Sequence, residues 1–176
     1  GTSLDINGAL ADQIDIISTS GKNHSGGEPG FQGNFDGNGV TVYGATINAA
    51  PGYMGLFSCT SGDVTIKNVN VKLAYFAANY AAGGIVGYHK GNGTNTLTIE
   101  NCSVVDCYLE SKGTGYGSGV GAFVGYVNNC AQIDGAWVNG PIIIKNCFAK
   151  LDEQYFISNT ETTTNTADRD CHGGVV

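Results

Sequence analysis

Asp168, Asp170 and His172 alternate with Arg169 and Cys171, so an extended backbone would set two carboxylates and an imidazole on one face. Such a trio suits general acid–base chemistry or metal binding. The competing reading is a polar stretch that follows the Thr160 to Thr166 loop and leads into the next strand at Gly174. Asp170 and His172 align with Tyr80 and Ala82, then with Gly117 and Gly119, so nothing catalytic recurs at those places. Other carboxylate pairs, Asp152 with Glu153 and Asp106 with Glu110, read as surface charges. Asp36-Gly37-Asn38-Gly39 lacks the length and the bidentate acid of a calcium loop and reads as a tight turn. His24, His89 and His172 lie in glycine-rich segments expected to be exposed, and no signature of a cysteine nucleophile surrounds Cys59, Cys102, Cys107, Cys130, Cys147 or Cys171. No metal or cofactor is expected.

Aromatic residues are the candidates for binding. Tyr88 and Tyr126 occupy the same place in successive repeats, and Trp137 sits in an inserted loop between Cys130 and Pro141. Rings on a rigid scaffold can stack on sugars. Alternatively, the two tyrosines form a core or rim ladder and Trp137 anchors its loop.

The elements that must position these residues follow from repetition. Thr65-Ile66-Lys67-Asn68-Val69-Asn70-Val71, Thr98-Ile99-Glu100-Asn101-Cys102-Ser103-Val104 and Ile143-Ile144-Lys145-Asn146-Cys147-Phe148-Ala149 are three versions of one block. A second block alternates with it: Gly55-Leu56-Phe57, Gly84-Ile85-Val86-Gly87-Tyr88, Gly121-Ala122-Phe123-Val124-Gly125-Tyr126 and Gly174-Val175-Val176. Repeats on this scale stack as near-identical units. Within the first block the apolar parity changes at the asparagine: Ile66 follows one register, while Val69, Val71 and Leu73 follow the other. A left-handed bend at Asn68, Asn101 and Asn146 would return both sets to one interior, and would stack the asparagines as a ladder. Cys102 and Cys147 take the slot of Val69, a place for a small apolar group. They read as stacked free thiols, with a disulfide between adjacent strands as the alternative. Lys67, Glu100 and Lys145 should face one another with alternating charge on the outer surface.

These features predict an all-β fold, a right-handed parallel β-helix with short strands and variable loops; an antiparallel β-sandwich is the alternative. Residues 1–176 are expected to form a single domain, with opening strands and a cap-like region over 1–54 and repeated rungs over 55–176. Its 176 residues include 28 glycines, too many for helices, and only 3 prolines. A net charge of −7 with 8 Lys and Arg in total opposes contact with nucleic acid or an anionic membrane. No stretch approaches the roughly 18 apolar residues of a membrane-crossing helix.

Phe31-Gln32-Gly33-Asn34-Phe35-Asp36-Gly37-Asn38-Gly39, with Gly55-Leu56-Phe57 and Gly84-Ile85-Val86-Gly87, resembles the GLUG-motif repeat proteins of bacterial surfaces. Ser58 stands where the hallmark has a further glycine. The resemblance implies a β-helical segment of a secreted or cell-surface protein, adhesin-like, with no catalytic residues to carry over. The Asp-Gly-Asn-Gly phrase also occurs in pectin-lyase-like sugar-active enzymes, so a polysaccharide lyase or glycoside hydrolase is the second functional expectation. Expected partners are a glycan or host-surface ligand and other domains of a longer chain. Strand edges exposed at Gly174-Val175-Val176 would favour self-association.

Overall fold

The computed structural model describes residues 3–5, 30–50, 52–112, 117–151, 157–159 and 171–172. Among them there is strand and turn but no helix, and hence no helix long and apolar enough to cross a membrane. In chain order the strands are β1 (Ser3–Asp5), β2 (Phe31–Tyr43), β3 (Thr46–Ala50), β4 (Phe57–Lys72), β5 (Tyr75–Ala78) and β6 (Ala81–Gly83). The next six are β7 (Val86–Lys90), β8 (Leu97–Glu100), β9 (Ser103–Val105), β10 (Tyr108–Ser111), β11 (Gly119–Gly121) and β12 (Val124–Asn128). The last six are β13 (Cys130–Ile133), β14 (Ala136–Asn139), β15 (Ile142–Lys145), β16 (Phe148–Lys150), β17 (Ile157–Asn159) and β18 (Cys171–His172).

A curled nine-stranded sheet contains β1, β2, β4, β7, β12 and the pairs β8–β15 and β9–β16; β3, β5, β10 and β17 form a second sheet, and β6, β11 and β18 a third. Pairing within these three sheets is parallel throughout. From β4 onward the chain visits the large sheet, the second and the third in that order and then returns to the large one; between β3 and β4 the third sheet is touched only by an isolated bridge from Met54 to Ala82. An antiparallel sandwich is thereby excluded: its strands would pair through hairpins, and the single described hairpin is β13–β14. Parallel pairing follows from the repeat itself, because each block lies on the next copy of itself rather than on its chain neighbour.

Asparagine bends give the large sheet its curl. Asn68, Asn101 and Asn146 have φ of 56°, 53° and 52°. Val64 and Ile66 before Asn68, and Val69 and Val71 after it, are all buried, so the parity change does return both sets to one interior. The Asn101 side-chain amide donates to the Asn68 Oδ1 at 3.2 Å, and that of Asn68 donates to the Asp36 Oδ1 at 2.8 Å. The ladder thus starts on a carboxylate one strand earlier than the repeat indicated. Replacing Asn101 by Gly should cost less than about 1 kcal/mol, from the lost hydrogen bond alone, because glycine accepts φ near 53°, whereas Val should cost about 2–3 kcal/mol, since it adds the strain of the left-handed backbone to the same loss. Urea denaturation of the two variants measures the difference.

A second bend lies five residues on. Leu73 has φ of 54° and Asp106 of 53°, and Gly44 takes φ of 70° at the equivalent place. Sequence parity puts Leu73 on the interior register with Val71; it is instead a half-buried corner residue. Its N–H donates to the Val105 carbonyl at 3.0 Å, so the ladder runs through the corner that leads from β4 to β5. The bends at Asn68, Asn101, Gly44, Leu73 and Asp106 are each followed by a small buried residue, and that at Asn146 by the half-buried Cys147. Val69 and Cys102 fill the first slot, and Ala45, Ala74 and Cys107 the second.

The Asp-Gly-Asn-Gly phrase is not a chain-reversing turn. β2 runs alongside β4 before and after it, with a register shift between Asp36 and Val40 that marks a bulge. Asn38 has φ of 50° and its N–H donates to the Asp36 Oδ1 at 2.9 Å, an Asx-type closure. Through this pairing Phe31 and Phe35 bring their rings to 5.0 and 5.2 Å from that of Phe57.

Candidate functional site

Asp168, Asp170, Asp152, Glu153 and His24 lie outside the described residues. His172 falls on β18, paired with Val120, which pairs with Ala82. Alignment of the repeats sets His172 against Gly119, one residue out. Gly121 is registered with Gly83 rather than Gly84, and Val124 with Val86; the doubled glycine at Gly83-Gly84 hides the slip.

The charges expected to line the outer surface are engaged in pairs. Lys145 meets Glu100 at 3.2 Å, and Lys67 meets Asp36 at 3.3 Å. Asp36, Lys67, Glu100 and Lys145 are in register across four adjacent strands. Asp36 is held below the usual carboxylate range first by the Asn68 amide, then by the Asn38 N–H, with Lys67 assisting. Exposed pairs of this kind contribute little to stability. Glu110, buried on the second sheet, accepts from the hydroxyls of Tyr75 and Tyr108 at 3.4 Å each. Those two rings stack at 4.7 Å and 4°, and burial, then the Glu110 charge, raises both phenols.

Cys59, Cys102, Cys107, Cys130 and Cys147 are free thiols. Burial pushes Cys59 up to about 12 and Cys102 and Cys107 up to about 11, so all three are poor nucleophiles at neutral pH. The Cys102 thiol points to the Ile66 carbonyl at 3.8 Å and that of Cys147 to the Ile99 carbonyl at 3.5 Å. Shorter contacts run to the carbonyls of Glu100 at 3.2 Å and Lys145 at 3.3 Å, two residues back in each block, so both thiols are free and sit among backbone carbonyls, where the sequence offered a disulfide as the alternative.

His89, expected from its glycine-rich surroundings to be exposed, is fully buried. It continues β7 inward beside Tyr88, and its Nδ1 lies 2.9 Å from the Thr60 Oγ1 on the registered strand. Its Nε2 is buried with no hydrogen-bond partner among the described residues. Burial lowers its pKa from 6.5 to about 4, against the small opposing pull of Asp63. The unfolded chain therefore takes up a proton between pH 6.5 and about 4 that the folded chain refuses, and stability falls as pH falls through that window. Between pH 7.5 and 5 this single group should remove about 2 kcal/mol. Comparing urea denaturation of the wild type and His89→Gln at both pH values isolates it: the variant should lack that part of the loss.

The loops between the first and second segments of each circuit lengthen along the chain. Gly62-Asp63 bridges the first, residues 91–96 the second, and the β13–β14 hairpin the third. Asn129, buried at the hairpin base, accepts from the Gly93 N–H at 3.1 Å and donates to the Asn95 carbonyl at 2.7 Å. Its own carbonyl accepts from the Gly140 N–H at 2.8 Å. Asp63 accepts from the Thr96 N–H at 2.8 Å. Neighbouring loops are thereby tied together, a role that nothing in the spacing of Asn129 announced.

Tyr88 and Tyr126 stack at 5.7 Å, and Tyr53 lies 4.5 Å from Tyr88. Tyr88 is buried and Tyr126 half-buried, so these rings offer little open face to a ligand. Trp137 stands opposite Gln132 in the hairpin and is 72% exposed. Comparison with family models, with curated proteins and with solved structures found no match for the chain.

Proposed function

We propose that the chain is a non-catalytic segment of a secreted or cell-surface bacterial protein, a right-handed β-helical scaffold that contacts glycans through its lengthened loops. The repeated visit to three parallel sheets in one order is what a continuous coil of rungs requires. The observation that carries the functional reading is the hairpin: an indole 72% exposed at a fixed position, on a base clamped by Asn129. An open aromatic face on a rigid support is suited to stacking on the apolar face of a sugar ring. The resemblance to GLUG-motif proteins supports the surface location and an adhesin-like role.

A glycan array, followed by titration of the best hit against wild type and Trp137→Ala, tests this reading. Binding that falls at least tenfold in the variant, without product formation, supports it. Turnover of a uronate or neutral polysaccharide, abolished in Asp170→Ala and retained in Lys67→Ala, would replace it with the polysaccharide lyase or glycoside hydrolase alternative.

A further inference from the structure

On the second sheet Phe76 and Leu109 are buried in the core, so Tyr75 and Tyr108, one residue before each, stand on the outer side, in register and half-buried. Their rings stack at 4.7 Å and 4°, and both hydroxyls reach the same atom, the Glu110 Oε2. The two rings therefore lie head to head, and the carbon ortho to one hydroxyl faces its counterpart in the other ring. Stacking spends one face of each ring on its neighbour, which leaves edges and hydroxyls and makes a poor platform for a sugar. Across the adjoining strands Glu110 is registered with Ala77 and Ser158, so among the described residues the phenols are the ionisable groups that meet it there. Lys112, two residues along the same segment, is exposed.

We propose that Tyr75 and Tyr108 form an oxidative cross-linking site, at which a diffusible one-electron oxidant joins them through a carbon–carbon bond ortho to each hydroxyl and staples β5 to β10. Each phenol gives one electron to one equivalent of the oxidant, and its proton passes to Glu110 and on to solvent before the second follows. The paired phenoxyl radicals carry spin at their ortho carbons, which couple; the two ortho hydrogens then move to the oxygens and restore both phenols. The protein thus loses two electrons and two protons, and two equivalents of oxidant are reduced. The shared acceptor singles out this pair. Burial and the Glu110 charge keep both phenols protonated at neutral pH, so electron loss is favoured where an acceptor for the proton is at hand. Tyr53 with Tyr88, and Tyr88 with Tyr126, meet at the wider angles of 17° and 14°, and Tyr53 and Tyr88 are buried away from a diffusing oxidant. Strand register already holds the Tyr75 and Tyr108 backbones side by side, so coupling needs rotation of the rings and no movement of the strands. The site is independent of any glycan contact at Trp137.

Photo-oxidised tris(bipyridine)ruthenium, with persulfate as the terminal electron acceptor, is the test oxidant. Wild type should develop dityrosine fluorescence within single chains, and peptide mass spectrometry should find Tyr75 joined to Tyr108, with the loss of two hydrogens, as the main cross-link. Tyr75→Phe and Tyr108→Phe should each remove that product, while Tyr88→Phe should retain it. Glu110→Gln keeps an acceptor oxygen but takes up no proton, so its coupling should slow severalfold at neutral pH and recover as higher pH ionises the phenols. The stapled protein should unfold at a higher urea midpoint than the uncoupled one, because a cross-link restricts the unfolded chain. The proposal would be overturned by absence of dityrosine in the wild type, by dityrosine that persists in Tyr75→Phe, or by a main product that joins two molecules or a different pair. A Glu110→Gln rate equal to that of the wild type at neutral pH, or a staple that leaves the urea midpoint unchanged, would overturn it equally.

Discussion

Gly87→Ala should leave no folded protein. A Cβ at Gly87 would lie 2.6 Å from the Met54 N and 2.7 Å from both the Met54 and Ser58 carbonyl oxygens. All three are backbone atoms of the preceding circuit, held by strand pairing, so no side chain can turn aside to admit the methyl group. The cost should exceed about 4 kcal/mol, enough to take much of the stability of a domain of this size. Gly62→Ala is the matched control. Gly62 has φ of 75°, and a methyl group there would meet nothing within 4 Å, so the variant should lose only about 1 kcal/mol, from backbone conformation alone. Soluble yield, circular dichroism and urea midpoints of the two variants separate steric exclusion from conformational strain.

Phe57→Ala should cost about 3–5 kcal/mol. The ring is fully buried and takes Phe31 and Phe35 at 5.0 and 5.2 Å, so its removal empties the place where β2 is held over β4. Such a loss joins a large cavity to the loss of two aromatic contacts, each worth about 0.5–1.5 kcal/mol beyond area. Phe148→Ala, at a mostly exposed ring on β16, should stay within about 0.5 kcal/mol of wild type. Hydrogen exchange adds a local readout: amides of Phe31–Asp36 should lose protection in Phe57→Ala before those of β8.

The residues that repeat as a type were legible in the sequence. Asn68, Asn101 and Asn146 disclosed a bend because asparagine tolerates left-handed backbone and because apolar parity changes around it. Lys67, Glu100 and Lys145 disclosed a surface column, although the bridge of Lys67 goes back to Asp36 and not forward to Glu100. The second bend was hidden because its three positions hold Gly44, Leu73 and Asp106, residues with no shared chemistry; only the backbone repeats there. His89 was hidden by its neighbours, since Gly91-Asn92-Gly93 made the end of a buried strand look like loop. For the candidate site, Trp137 was found by type, but its exposure depends on a hairpin whose base is closed by Asn129, a tertiary contact that no spacing encodes. Asp168 and Asp170 remain a sequence expectation, since they lie outside the described residues.

Stacking in parallel register underlies the bends, the charge column and the tied loops alike, and one distance measures it. Thr65 pairs with Thr98, and Thr98 with Ile143, so spin labels at positions 65 and 143 sit two strands apart on the same outer face. Electron paramagnetic resonance should give a backbone separation of roughly 10 Å, twice the spacing between neighbouring strands. Labels at 65 and 98 should give about half of that. A separation beyond about 20 Å for the first pair, or a shorter distance for 65–143 than for 65–98, would contradict the stacked arrangement and with it the scaffold on which the proposed function rests.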